Sequence, residues 1–310
     1  MAINSFDNQF AKTFTGELDK VLVQKSETLR FLDPVMRAKF VGARTVMIPD
    51  IDFQGLGNYD RDEGFNRGSV TVTQRPYELQ MDRSRSFQID REDMDELGIA
   101  NLSGQVLKEF VRTKVAPEVD AYTLSKLFKV AETAGNTMPV TSETLSSSVF
   151  ALFTQASSQV REAAGFSEQN LIAFINPMVE MALISSPEIS RMIRVDDFKV
   201  GEITTKVKSL NGVKLIPMSS DRMHSDYTFN AGATAEDAGG FAPTESAKSI
   251  AMIMLPTDSA SVVRKSETMR IWTPDKNIKA DAYKFDYRLY YDAFVKHSRV
   301  DTIVAGYING

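Results

Sequence analysis

Between Val46 and Ile89 apolar residues (Val46, Met47, Ile48, Ile51, Phe53, then Val70, Val72, Tyr77, Leu79, Met81, Phe87, Ile89) are interleaved with charged and polar ones, the pattern of strands with one face covered. The two halves are separated by Gln54–Gly68, a stretch rich in Gly, Asn and Asp that supplies turn chemistry. The pattern predicts a long projecting hairpin. A lone two-stranded hairpin buries too little apolar area to offset the entropy of ordering its backbone. It therefore needs a cover, either its own domain or a neighbouring copy, and the pattern alone leaves both open.

Before it, Phe6, Phe10, Phe14, Leu18, Val21 and Leu22 recur at helical spacing, punctuated by Pro34. This stretch reads either as an arm lying over another surface or as an ordinary first helix. After the hairpin, Asp90-Arg-Glu-Asp93 matches a helix N-cap with an acidic first turn, joined by Asp95 and Glu96. From Leu102 the residues Val106, Leu107, Phe110, Val111, Val115, Val119, Tyr122, Leu127 and Phe128 predict a long one-sided helix, with Pro117 bending or interrupting it. A second amphipathic helix is predicted over Ser142–Ala164, capped at Thr141 and stopped by Gly165. Leu171–Ile175 and Ser249–Leu255 read as buried strands, with a short helix over Met178–Ile184 between them. Ile203–Ser209 and Val213–Ile216 flank Asn211-Gly212, a type I′ hairpin. Ala231–Gly240 reads as a mobile small-residue loop, and Ala282–Val295 as an aromatic strand. Strands and helices are grouped irregularly and nothing repeats, an α+β arrangement.

Composition narrows the function. The 310 residues carry a net charge of −5, which disfavours sequence-independent nucleic-acid binding as the main activity. The absence of cysteine removes disulfides, thiolate metal ligands and a Cys nucleophile. No basic-then-apolar leader opens the chain and no apolar run spans a bilayer, so a soluble protein made in a cytoplasm is expected. His224 and His297 stand far apart without acidic or seryl neighbours, and Gly55-Leu-Gly57 lacks the third glycine and the helix of a dinucleotide fingerprint. P-loop, nucleophile-elbow and HExxH signatures are missing. The carboxylates at Asp90, Glu92, Asp93, Asp95 and Glu96 read as a helix start rather than as metal ligands, since no histidine lies near them. No catalytic residue, metal site or cofactor is assigned. A hydrolase with a scattered site survives as the enzymatic alternative.

The order of parts resembles the major capsid proteins of tailed bacteriophages, the Hong Kong 97-like fold. Thr45-Val-Met-Ile-Pro49, Val115-Ala-Pro-Glu-Val-Asp-Ala-Tyr122, Arg270-Ile-Trp-Thr-Pro274 and Ala280-Asp-Ala-Tyr-Lys-Phe-Asp-Tyr-Arg-Leu-Tyr-Tyr-Asp292 are similar to phrases of that family. The resemblance covers nearly the whole chain. It implies an N-terminal arm (1–44), an extended β-hairpin loop (45–90), a spine helix with peripheral domain (91–140), an axial domain (141–269) and a C-terminal strand returning to the other domains (270–310). It implies a virion shell of hexamers and pentamers around double-stranded DNA, assembled in a bacterial cytoplasm without enzymatic activity. Its partners would be a scaffolding protein, a portal protein and optionally a decoration protein, with the DNA weakly contacted and no membrane. An encapsulin-like nanocompartment shell shares the fold and is the nearest alternative.

Two departures follow. No lysine lies between Lys39 and Lys108, so the loop offers no amine for a lysine–asparagine crosslink between subunits. The arm begins close to Met1, from which the scaffolding protein is expected to be separate. Stability then comes from noncovalent contacts repeated by symmetry. The candidate interface residues are the loop arginines Arg61, Arg67, Arg75, Arg83 and Arg85, pairing with a neighbour's Asp90, Glu92, Asp93, Asp95 and Glu96. Arg83 and Arg85 are the favoured pair, against the alternative of a solvated surface on which each pair is worth at most about 1 kcal/mol.

Overall fold

The patterned run from Val46 to Ile89 divides between two sheets instead of forming one hairpin. The computed structural model describes residues 17–32, 39–41, 44–59, 61, 65, 67–92, 102–165, 170–185, 194–200, 203–232, 238–272 and 274–308. In it β1 (Lys39–Val41), β2 (Thr45–Phe53) and β3 (Val70–Glu78) form an antiparallel sheet in that order, in which β2 and β3 are the hairpin. The chain then breaks at Leu79-Gln80. Leu79 donates its N–H to Arg44 O at 2.9 Å, and Gln80 donates its N–H to Asp292 Oδ2 at 3.2 Å. β4 (Met81–Asp90) leaves the hairpin and pairs with the aromatic strand far along the chain. The reason is burial: Met81, Phe87 and Ile89 on β4 pack against the main core, area that an isolated hairpin could not offer.

The long helix follows in three pieces, Leu102–Phe110, a wider π-helical turn over Val111–Val115, and Ala116–Thr133. Pro117 explains the turn. It has no N–H to donate to the carbonyl four residues back, and the preceding Ala116 N–H bonds instead to Val111 O, five residues back. The expected interruption is thus a local widening, with the helical path maintained.

β5 (Thr137–Val140), β6 (Leu171–Ile175), β7 (Arg194–Val200), β8 (Ile203–Leu210) and β9 (Val213–Pro217) enter a seven-stranded sheet. β10 (Tyr227–Phe229) and β11 (Phe241–Pro243) pair separately. β12 (Ser249–Pro256) and β15 (Val304–Ile308) complete the large sheet in the order β5-β15-β12-β6-β9-β8-β7, while β13 (Ala260–Trp272) and β14 (Ala282–Val295) join β4 in the order β13-β14-β4. Both apolar runs read as buried strands, β6 and β12, are central in the large sheet. Alternation sends Ile172, Phe174, Ile253 and Leu255 to the long helix, and Leu171, Ala173, Ile175, Met252 and Met254 to the helix Val149–Ala163. Coverage on both faces is why these runs are continuous rather than alternating.

The predicted helix Ser142–Ala164 is two, Ser142–Ser147 and Val149–Ala163, broken where Ser148 adopts φ −137°. Thr141 caps the first by accepting the Thr144 N–H, as expected. Asn211 and Gly212 have φ of 52° and 77°, the left-handed pair that a type I′ turn requires. The remainder of the predicted loop Ala231–Gly240 beyond its stems, residues 233–237, lies outside the described residues, as do the early stripe residues Phe6, Phe10 and Phe14 and Pro34.

Candidate assembly site: the hairpin, its root and the arginine clamp

The hairpin is half anchored and half bare. At its root Val46, Ile48 and Leu79 are buried against Val263, Tyr290 and Phe294, with the Tyr77 and Phe294 rings 5.0 Å apart. Polar ties reinforce this. Asp82 accepts from Arg44 Nη2 at 2.9 Å and from Arg288 Nε and Nη2 at 2.9 and 2.8 Å. The Arg288 hydrogen bond leads in holding the Asp82 carboxyl below its ordinary range. Behind them Asp292, fully buried, accepts from Lys126 Nζ at 2.5 Å, Tyr122 OH at 2.9 Å and the Gln80 N–H, joining β14, the long helix and the hairpin root. Burial beside that carboxylate pushes the Tyr122 hydroxyl well up, so it stays a donor.

The distal half is different. Phe53 is 68% exposed and Phe65 90%, and Leu56, Tyr59, Val70 and Val72 are exposed as well. Tyr59 and Phe65 meet edge to face at 5.2 Å, but their outer surfaces face water. Exposed apolar surface of this kind commonly marks a site of interaction with another molecule. Arg61 and Arg67 are exposed along it, and Arg75 is exposed on β3.

Arg83 is tied within its own subunit. Its guanidinium reaches Glu118 on the long helix (Nε 2.8 Å, Nη2 3.4 Å) and the carbonyls of Asn230 and Gly240 at 2.9 and 3.1 Å. Those two residues are the stems of the small-residue loop, themselves closed by an Asn230 N–H to Gly240 O bond of 3.0 Å. Tyr291 OH also donates to Glu118, at 3.2 Å. Arg83 thus clamps β4, the helix and the loop within one subunit, and its carboxylate partner is Glu118 rather than the cluster at Asp90. Arg85, two residues on, lays Nη1 beside Gly232 and Gly239, where side chains would begin 2.7 and 3.4 Å from it.

Of the acidic cluster, Asp90 and Glu92 are exposed, and Asp90 Oδ1 accepts the Glu92 N–H at 2.9 Å, the capping role read from the sequence. Asp93, Asp95 and Glu96 lie outside the described residues. Among the described residues no group of three or more His, Asp or Glu is placed to hold a metal ion, and no helix is long and apolar enough to cross a membrane.

The sequence reading missed Asp120. It is wholly buried and accepts from Ser26 Oγ (2.6 Å), Thr28 Oγ1 (2.7 Å), the Thr28 N–H (3.0 Å), the Glu27 N–H (3.3 Å) and Arg222 Nη1 (3.0 Å). Burial pushes its carboxyl up while these donors pull it back. Through it the short helix Glu27–Phe31, whose N-cap is Ser26, is fixed to the long helix.

No protein-family model matches the chain, and no curated protein matches it in sequence. Solved structures do match in shape. The structure of Gordonia phage Cozz superposes with a TM-score of 0.55 at 13% identity, covering 94% of this chain and 86% of that one. The mature capsid of bacteriophage PhiM1 gives 0.54 at 14%, covering 86% and 83%. The virus-like particle from Pyrococcus furiosus gives 0.52 at 10%, covering 95% and 98%. The chain has the Hong Kong 97-like capsid fold. The superposition runs over most of both chains, in line with the fold expected from the order of parts. At 10–14% identity the shared property is the fold.

Proposed function

We propose that the chain is a major capsid subunit of a tailed phage, whose copies form the hexamers and pentamers of a closed icosahedral head around double-stranded DNA. The observation that carries this reading is the hairpin: a subunit with the Hong Kong 97-like fold holds the root of a ribbon firmly and leaves its tip apolar and bare. A second copy is the cover the tip calls for. Arg61, Arg67 and Arg75 flank it as candidates for pairing with a neighbour's Asp90 or Glu92. Cohesion is noncovalent, since the loop has no lysine to crosslink. The subunit is structural, without catalysis, and scaffolding, portal and decoration proteins are its partner classes. Residues 1–44, 45–90, 91–140, 141–269 and 270–310 serve as arm, extended loop, spine with peripheral domain, axial domain and returning strand.

Sedimentation velocity with negative-stain microscopy over rising concentration, alone and with co-expressed scaffolding protein, tests the proposal. Closed shells are expected. A chain that stays a small fixed oligomer in both settings, or builds tubes that never close, overturns it. Shells filled with a cargo protein instead of DNA would select the nanocompartment alternative.

A further inference from the structure

Beneath the π-helical turn lies a cavity of about 380 Å³, bounded by β4, the helix, the loop stems and β14. Its floor is apolar and ordered: Phe87 stacks edge to face on Phe110 at 4.8 Å, and Phe110 on Tyr287 at 5.9 Å. The walls are cationic. Arg83 and Glu118 neutralise one another, and Asp82 is shared by Arg44 and Arg288. That leaves Arg85 and Lys114, both lining the space, with no carboxylate partner among the described residues. Two structural devices hold these cations at the cavity. The left-handed Gly232 and Gly239 bring bare backbone against the Arg85 guanidinium, which a side chain at Gly232 would displace. The widened turn, forced by Pro117, carries Lys114 and Val115 at the cavity's edge.

We propose that this cavity is a binding site for an organic anion with a flat apolar body, for which an aromatic carboxylate is the simplest form. The carboxylate is held by Arg85 and Lys114, and the body lies on the Phe87–Phe110–Tyr287 floor. The size fits: small-ligand sites occupy roughly 300–1,000 Å³ and combine an apolar lining with a few fixed polar groups. An occupant would bridge the strand that leads out of the hairpin, the long helix and the loop stems, so that binding would set the angle between them. The cavity is lined within a single subunit.

Benzophenone-4-carboxylate, which is both ligand and photocrosslinker, tests this on the full chain, with benzophenone-4-carboxamide as the uncharged control. Expected are one saturable site per chain, at least tenfold tighter binding of the carboxylate, and crosslinks confined to peptides containing residues 82–87, 110–118 or 287–291. The double variant Arg85→Gln, Lys114→Gln should bind both probes equally while melting as the parent does. Equal affinity of the parent for the two probes, or crosslinks mapping elsewhere, overturns the proposal. Because the crosslinks are mapped on the unaltered protein, that result stands whether or not the variant folds. A carboxylate preference surviving in a folded double variant also overturns it.

Discussion

Asp120 and Ser26 are joined by a 2.6 Å hydrogen bond across 94 residues of chain, inside a core from which water is excluded. Ser26 in turn accepts the Leu29 N–H, so a single carboxylate positions the N-cap of the helix that follows. Replacing Asp120 by Ala leaves Ser26, Thr28 and Arg222 facing an empty acceptor. Loss of one partner from such a buried charged network costs about 3–5 kcal/mol. Asp120→Ala should lower the urea midpoint accordingly and expose Lys20, Lys25 and Arg30 to trypsin, whereas Asp120→Asn, which keeps one acceptor oxygen, should lose less. Wild-type stability in the alanine variant would mean that residues 17–32 are held by apolar packing alone.

How far these features were legible in the sequence depends on the range over which they are determined. Local chemistry was readable: Asn211-Gly212 had to turn, Pro117 had to disturb the helix, and Leu171–Ile175 could only be interior. Pairing was not, because alternation along Met81–Asp90 says which face is apolar and nothing about which strand lies beside it; the partner, Ala282–Val295, is nearly two hundred residues on. The contacts of Arg83 within the chain were hidden for the same reason, since Glu118, Asn230 and Gly240 are distant in sequence. Asp120 left one usable signal. It sits among Ala116, Val119, Leu124 and Leu127 on the buried face of the helix, and a carboxylate there must find donors.

Arg83 and Glu118 should behave as a coupled pair within one subunit. Both are largely covered, and Arg83 makes two further bonds to loop-stem carbonyls. Arg83→Ala is expected to cost about 2–3 kcal/mol, Glu118→Gln less, and a double-mutant cycle by chemical denaturation should return a coupling of about 1–2 kcal/mol. Arg83→Lys should recover only part, because an ammonium cannot serve Glu118 and both carbonyls with a planar fork. Additive effects would show that the clamp is geometric coincidence.

The hairpin tip should separate folding from assembly. Phe53 and Phe65 are exposed in the single subunit, so Phe53→Asp with Phe65→Asp should change monomer stability by no more than about 0.5 kcal/mol. The same variant should fail to form shells under conditions in which the parent does, as read by sedimentation and microscopy. Normal shells from it would remove the tip from the interface.

Gly306 marks a place where the large sheet leaves little room for a side chain. A Cβ there would lie 3.3 Å from Val140 Cγ2 and 3.4 Å from Met252 Cγ, on the strand between β5 and β12. Gly306→Val is therefore expected to destabilise by about 1–3 kcal/mol through overpacking, despite the higher strand propensity of valine. Thermal unfolding of the variant, with Gly306→Ala as the milder step, checks the order.

His224 gives the protein a stability that depends on mild acid. Its Nδ1 is buried without a hydrogen-bond partner, and burial holds the ring below its ordinary value of 6.5, against the opposing pull of Asp221. The folded state thus resists a proton that the unfolded chain accepts. Where the unfolded state binds more protons, stability rises with pH. The contribution is complete above pH 6.5 and is lost as pH falls through 6.5 toward the folded value. The carboxylates Asp82 and Asp226, whose folded values are lowered, keep their contribution until well below this window, since it is lost only as pH falls through those lowered values. Just below pH 6.5 His224 makes stability fall as pH falls, while Asp120, Asp19 and Glu27, whose folded values burial raises, act with the opposite sign, so the imidazole's share is the part that replacing His224 removes. His224→Gln, which cannot take up a proton, should remove that share from the urea-midpoint profile just below pH 6.5 and leave the fall at lower pH in place. An unchanged slope in the variant would assign the effect to another group and show that the buried Nδ1 is reached by water.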